Sequence, residues 1–165
     1  MAEALLNALG GGRLCAYSAG ARPADRVSPY ALELLDAQGL MTEGLRCKNW
    51  GEFAGPAAPT MAVVITVCDM LTGEACPSWP GQPLRAHWGV ADPAALEAAG
   101  ASGAEIRHAY TQAYAGLAER VLAFLSLSFE ELDRAELERH LNEIGRAGAA
   151  ASLPNVGEFL LTEEK

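Results

Sequence analysis

MAVVITVCDMLTGEACPSWPGQPLRAHWGVADP, residues 61–93, decides the fold. Val63-Val64-Ile65-Thr66-Val67 is a continuous apolar, β-branched run. Such a run suits a parallel strand covered on both faces, because a half-solvated strand alternates apolar and polar residues. Leu84 to Trp88 reads as a second, shorter strand. Between and just after these strands fall Cys68, Asp69, Cys76, His87, Trp88 and Asp92, nearly all the chemically capable residues of the chain. In an open α/β sheet, ligands bind outside the carboxyl ends of the strands.

Upstream, residues 1–9 are rich in helix formers and stop at Gly10-Gly11-Gly12. No Ser, Thr, Asp or Asn precedes them as a cap, so this helix starts as though entered partway along. Leu14 to Ser18 is expected to be a short strand, with Cys15 as a small core residue. Ser28-Pro29 supplies a cap and first-turn pair for a helix striped by Tyr30, Ala31, Leu34 and Leu35 and ended at Gly39. Leu45 to Phe53 is irregular or a short helical turn.

Downstream, Asp92-Pro93 opens a helix of about two turns. A long helix over Ser102–Leu125 carries an apolar stripe, Ile106, Tyr110, Tyr114, Leu117, Val121 and Leu125. A last helix is expected from about Phe129, after Ser128, to Ile144. Alternation of strands and helices argues for a parallel sheet in three layers. Parallel sheets are built from strand–helix–strand units, and the first helix here has no strand before it.

The chain has 165 residues, 50% apolar and 20% charged, consistent with one soluble domain. A net charge of −9 argues against nucleic acid or an anionic membrane as partner. No apolar run reaches bilayer length and no basic leader precedes an apolar core, so the expected compartment is the cytoplasm. The four cysteines, Cys15, Cys47, Cys68 and Cys76, contain no Cys-x-x-Cys pair. Neither a disulfide framework nor a structural zinc site fits them.

Six motifs occur in order: Met1-Ala-Glu-Ala-Leu-Leu6, Tyr17-Ser-Ala-Gly20, Thr66-Val-Cys-Asp69, Cys76-Pro-x-Trp-Pro-Gly81, Ala86-His-Trp-Gly89 and Asp92-Pro93. Together they resemble arsenate reductases of the low-molecular-weight protein tyrosine phosphatase superfamily, over about Met1 to Gly145. The resemblance implies an α/β domain over residues 1–145 with a parallel, four-stranded, flavodoxin-like sheet in three layers. Residues 146–165, Ala/Gly-rich at first, are expected to be a flexible tail. It also implies reduction of arsenate to arsenite in arsenic detoxification. The family's nucleophile is a Cys in an oxyanion loop, Cys, five residues, Arg-Ser, between the first strand and first helix.

No Cys here is followed six positions later by Arg; Cys15 and Arg22 are one residue too far apart. The expectation is therefore a chain without its first strand and nucleophile loop, inactive as it stands.

Under the resemblance, Cys68 and Cys76 are the redox relay, which passes a disulfide to thioredoxin or a glutathione-type thiol. Seven residues separate them, Gly73 among them, so the loop has the length to close over Cys68. By spacing alone, Cys68 reads instead as a buried strand-end thiol and Cys76 as an idle loop thiol, and the resemblance reverses that reading. Asp92 matches the general acid, although Asp before Pro is also an ordinary helix cap. Ser18 matches a Ser that braces the oxyanion loop, and His87 is a supporting residue; Trp88 is read as packing. Cys47 matches no functional position. No bound cofactor or metal is implied. The substrate is arsenate or a phosphate-like oxyanion. Two alternatives stand beside the reductase: a phosphatase acting on phosphotyrosine or small phosphoesters, and a non-catalytic module that binds arsenite or senses oxidants through its thiols.

Overall fold

A computed structural model describes residues 1–67 and 78–147 of the chain. Its elements run α1 (Ala2–Leu9), α2 (Pro29–Ala37), a 3-10 helix (Trp50–Phe53), β1 (Val63–Thr66), β2 (Leu84–His87), α3 (Ala94–Ala98), α4 (Gly103–Leu125) and α5 (Arg134–Arg146). Cys68, Asp69, Cys76 and the tail from residue 148 lie outside the described residues.

β1 and β2 are parallel and in register, Val63 beside Leu84 and Thr66 beside His87. The ladder continues past the strand ends: Trp88 N donates to Thr66 O at 2.8 Å and Val90 N to Val67 O at 2.9 Å. Val63, Ile65 and Val67 pack against the main core, with buried Leu84, Ala86 and Trp88 beside them. The alternate residues Val64, Thr66, Arg85 and His87 instead line a cleft of about 290 Å³ with Ala86 and Asn142. β1 is thus half-buried along its whole length, not enclosed on both faces as its composition suggests.

The expected strand at Leu14–Ser18 does not form, and Cys15 is exposed rather than in the core. The segment is extended, and its backbone groups are taken up by α1. Asn7 accepts from Ala16 N at 2.8 Å and donates to Ala16 O at 3.0 Å. Glu3 accepts from Ser18 N at 3.1 Å. Four helical residues rise about 6 Å, close to the roughly 6.6 Å spanned by two strand residues. Glu3 and Asn7 can therefore reach alternate residues of an extended chain. Past it, Gly20 forms an isolated parallel bridge with Asn49.

α4 is the hub. It packs against α1, α2, α3 and α5. Ile106, Tyr110, Tyr114, Leu117 and Val121 are buried as the stripe requires, and Phe124, rather than Leu125, completes it. Its start is a capping box: Ser102 Oγ accepts from Glu105 N, and Glu105 accepts from Ser102 N. A second box, Asp133 with Glu136, starts α5 at Arg134, later than the expected Phe129. α5 runs along β2. Arg134 donates to Gln82 O at 2.7 Å near its start, and Trp88 Nε1 donates to Leu141 O at 3.1 Å further along. Among the described residues, no helix is long and apolar enough to cross a membrane.

Candidate functional site

Ser28 begins α2, but its hydroxyl does not cap that helix. Its Oγ donates to Glu97 Oε1 of α3 at 2.7 Å. Tyr110 of α4 donates its OH to the same oxygen. Burial, and next the bond to Glu97, push the Tyr110 phenol up to about 12, and the negative charges of Glu97 and Asp92 act in the same direction. The Asp92 carboxyl is exposed, and its Oδ1 accepts from Ala94 N at 3.0 Å. The Asp92 side chain thus takes up the Ala94 N–H in the turn ahead of α3, whose cap position falls at Pro93 rather than at Asp92.

The start of α1 meets this group. Met1 packs in a small cluster with Tyr30, Ala31, Ile106 and Tyr110. Two residues on, Glu3 accepts from Ser18 Oγ and from Lys48 Nζ, the latter at 3.0 Å to Oε2 and 3.2 Å to Oε1. Lys48 is 5% exposed, a buried cation that also donates to Arg46 O. A buried charge is tolerated only when paired and hydrogen-bonded, and Glu3 supplies both conditions. Ser18, Glu3 and Lys48 therefore form a fixed polar corner beside the first turn of α1. That turn points N–H groups outward and favours negative charge.

At the carboxyl ends of the strands, Thr66 Oγ1 and His87 Nδ1 lie 2.9 Å apart. Trp88 is 1% exposed and meets Phe124 edge-on at 5.8 Å, which is packing, as expected.

The profile of the family described as low molecular weight phosphotyrosine protein phosphatase matches residues 1–139. The chain belongs to this family. No curated protein matches it. The family match and the small parallel α/β sheet together fit a flavodoxin-like fold. In this phosphatase-family chain, Ser18 meets the first turn of α1 through Glu3, and the α3 segment that follows Asp92 reaches Met1 through Glu97 and Tyr110. His87 lies at the strand ends, on the cleft shared with Asn142. The candidate relay thiols Cys68 and Cys76 fall outside the described residues; Val67, just before Cys68, is bonded to Val90, two residues before Asp92.

Sequence reasoning missed Glu3, Lys48, Glu97 and Tyr110. Tyr110 was legible only as part of an apolar stripe. Lys48 gave no signal that sets it apart from Arg46 in the same irregular segment, and nothing in one dimension pairs it with Glu3.

Proposed function

We propose that this phosphatase-superfamily chain belongs to a thiol-coupled arsenate reductase, whose nucleophile, the Cys of the family's oxyanion loop, is not among these 165 residues. The observation that carries the reading is the run Thr66-Val-Cys-Asp69, Cys76-Pro-x-Trp-Pro-Gly81 and Asp92-Pro93 within the family-matched region. A phosphatase has no need of a Cys68/Cys76 pair; a reductase does. In support of a further strand, β1 has a ladder partner only in β2 among the described residues, and the extended residues 14–18 belong to no strand. A strand between them would complete a three-layer sheet.

In the proposed reaction the oxyanion-loop thiolate displaces a hydroxyl of arsenate as water, and Asp92 gives the proton that makes it a leaving group. The Cys68 thiolate then attacks that sulfur. The S–As bond breaks with its electron pair passing to arsenic, which leaves as arsenite, and the two thiols, having given up two electrons, remain joined as a disulfide. Cys76 exchanges into this disulfide and presents it to thioredoxin or a glutathione-type reductant. Ser18, held by Glu3, braces the oxyanion loop.

Two measurements test this. The 165-residue chain itself turns over neither arsenate nor p-nitrophenyl phosphate. In the protein that carries the loop, Cys68→Ser abolishes arsenate reduction and leaves p-nitrophenyl phosphate hydrolysis intact. Arsenate turnover by the chain alone, or by the Cys68→Ser protein, would refute the reading. The second reading is a phosphotyrosine phosphatase, favoured by the name of the matched family. It requires that the parent protein reduce no arsenate and that Cys68→Ser and Cys76→Ser leave p-nitrophenyl phosphate hydrolysis unchanged.

A further inference from the structure

α3 has five residues and buries none of them, and its one large apolar residue, Leu96, is 38% exposed. Apolar packing therefore does not fix its place, yet it directly follows Asp92 and Pro93, and Asp92 takes up its Ala94 N–H. Beside the Val90 N–Val67 O bond at the strand ends, two side-chain contacts tie the segment to α4. At its far end Glu97 accepts two hydroxyl donors, Ser28 Oγ at 2.7 Å and Tyr110 OH. Bonds to a charged acceptor are among the stronger hydrogen bonds. At its near end Arg120, 7% exposed, donates Nη2 to Gly89 O at 3.4 Å and Nη1 to Gly116 O at 2.8 Å.

Arg120 is a costly residue to bury. Its Nε has no partner among the described residues, and both its bonds go to carbonyls. Desolvating a guanidinium for carbonyls alone is unfavourable for stability. Gly116 makes the arrangement possible, since a Cβ there would sit 3.0 Å from Arg120 Nη1 and 3.3 Å from Val90 Cγ1.

We propose that Glu97 and Arg120 are positioning residues that suspend the Gly89–Ala98 segment from α4 and so aim the Asp92 carboxyl. The inference rests on the reading of Asp92 as the general acid. It adds the two residues that place that acid, Glu97 through Tyr110 and Ser28, and Arg120 through Gly89.

The test uses the 165-residue chain, amide hydrogen exchange and the ¹³C signal of the Asp92 carboxyl. In Glu97→Ala the Ala94 amide exchanges at least tenfold faster and the Asp92 signal moves, while the Leu117 and Val121 amides in α4 keep their rates. Glu97→Gln, whose amide oxygen still accepts both hydroxyls, restores the wild-type pattern. Arg120→Leu accelerates the Val90 amide in the same selective way, and Arg120→Lys recovers part of the loss. Tyr110→Phe removes one of the two donors to Glu97 and gives a smaller shift in the same direction. Unchanged Ala94 exchange and Asp92 signal in Glu97→Ala and Tyr110→Phe overturn the proposal. So does equal acceleration throughout α4, or a Glu97→Gln protein that behaves like Glu97→Ala. The acid reading fails on a separate result: undiminished turnover by Asp92→Asn in the loop-bearing protein.

Discussion

Lys48 and Glu3 form the most enclosed ion pair described, with side chains 5% and 12% exposed. Each ion is tolerable only because the other is present. Lys48→Met strands the Glu3 carboxylate, and loss of one partner of a buried pair costs about 3–5 kcal/mol. Urea unfolding should show that loss. The double substitution Glu3→Gln, Lys48→Met should recover much of it, because it removes the unpaired charge. Ser18 would then lose a charged acceptor even where stability returned. At this scale the sequence was readable where local chemistry decides the outcome. Asp92 takes up the Ala94 N–H because an Asx oxygen reaches the N–H two residues on. Cys15 was misread because a short apolar run implies a buried strand only if a neighbouring strand covers it.

At the scale of elements, α5 is seated by a glycine. A Cβ on Gly145 would lie 1.9 Å from His87 O and 3.1 Å from Trp88 Cδ1. Backbone cannot yield as a flexible side chain would, so Gly145→Ala should lift the end of α5 off β2. A destabilisation of about 1–3 kcal/mol or more is expected from such overpacking, with a change in Trp88 fluorescence as its contact with Leu141 loosens. Asn7 plays a comparable part for the extended segment 14–18. Asn7→Ala leaves Ala16 N and O without their partner and should cost roughly 1–2 kcal/mol, softened by the exposure of the pair. Hydrogen exchange at the Ala16 amide reports it directly. Helices were legible in the sequence because their apolar period and their capping boxes are local. The start of α5 was misplaced because Ser128-x-x-Glu131 and Asp133-x-x-Glu136 both read as capping boxes, and the helix starts at the second.

For the whole molecule, alkaline pH probes the joint where α2, α3 and α4 meet. Tyr110 has its pKa raised from 10.0 to about 12 in the fold. Between these values the unfolded chain loses its phenol proton while the folded chain keeps it. The folded state then binds more protons, so stability falls as pH rises. Below pH about 10 the contribution is fully present, and it is lost as pH passes through about 12. Thermal melts from pH 9 upward should drop less steeply in Tyr110→Phe than in the parent, and a parallel decline would contradict the burial of this phenol. The same joint ties the Asp92 segment to the start of α1, so the candidate site depends on the packing of three helices around α4.

The sequence by itself determined the helices, the β1–β2 pair, the membership suggested by Thr66 to Pro93, and the Asp92 turn ahead of α3. These follow from periodicity, local hydrogen bonding and motif, all of which act over a few residues. Only the tertiary structure decided that residues 14–18 lean on Glu3 and Asn7 instead of a strand, that Lys48 is buried, and that Glu97, Tyr110 and Arg120 carry the Asp92 segment. Those outcomes depend on which surfaces meet. A buried charge or an extended backbone settles with whatever partner the fold brings within about 3 Å, and that partner can be 45 residues away, as Glu3 is from Lys48.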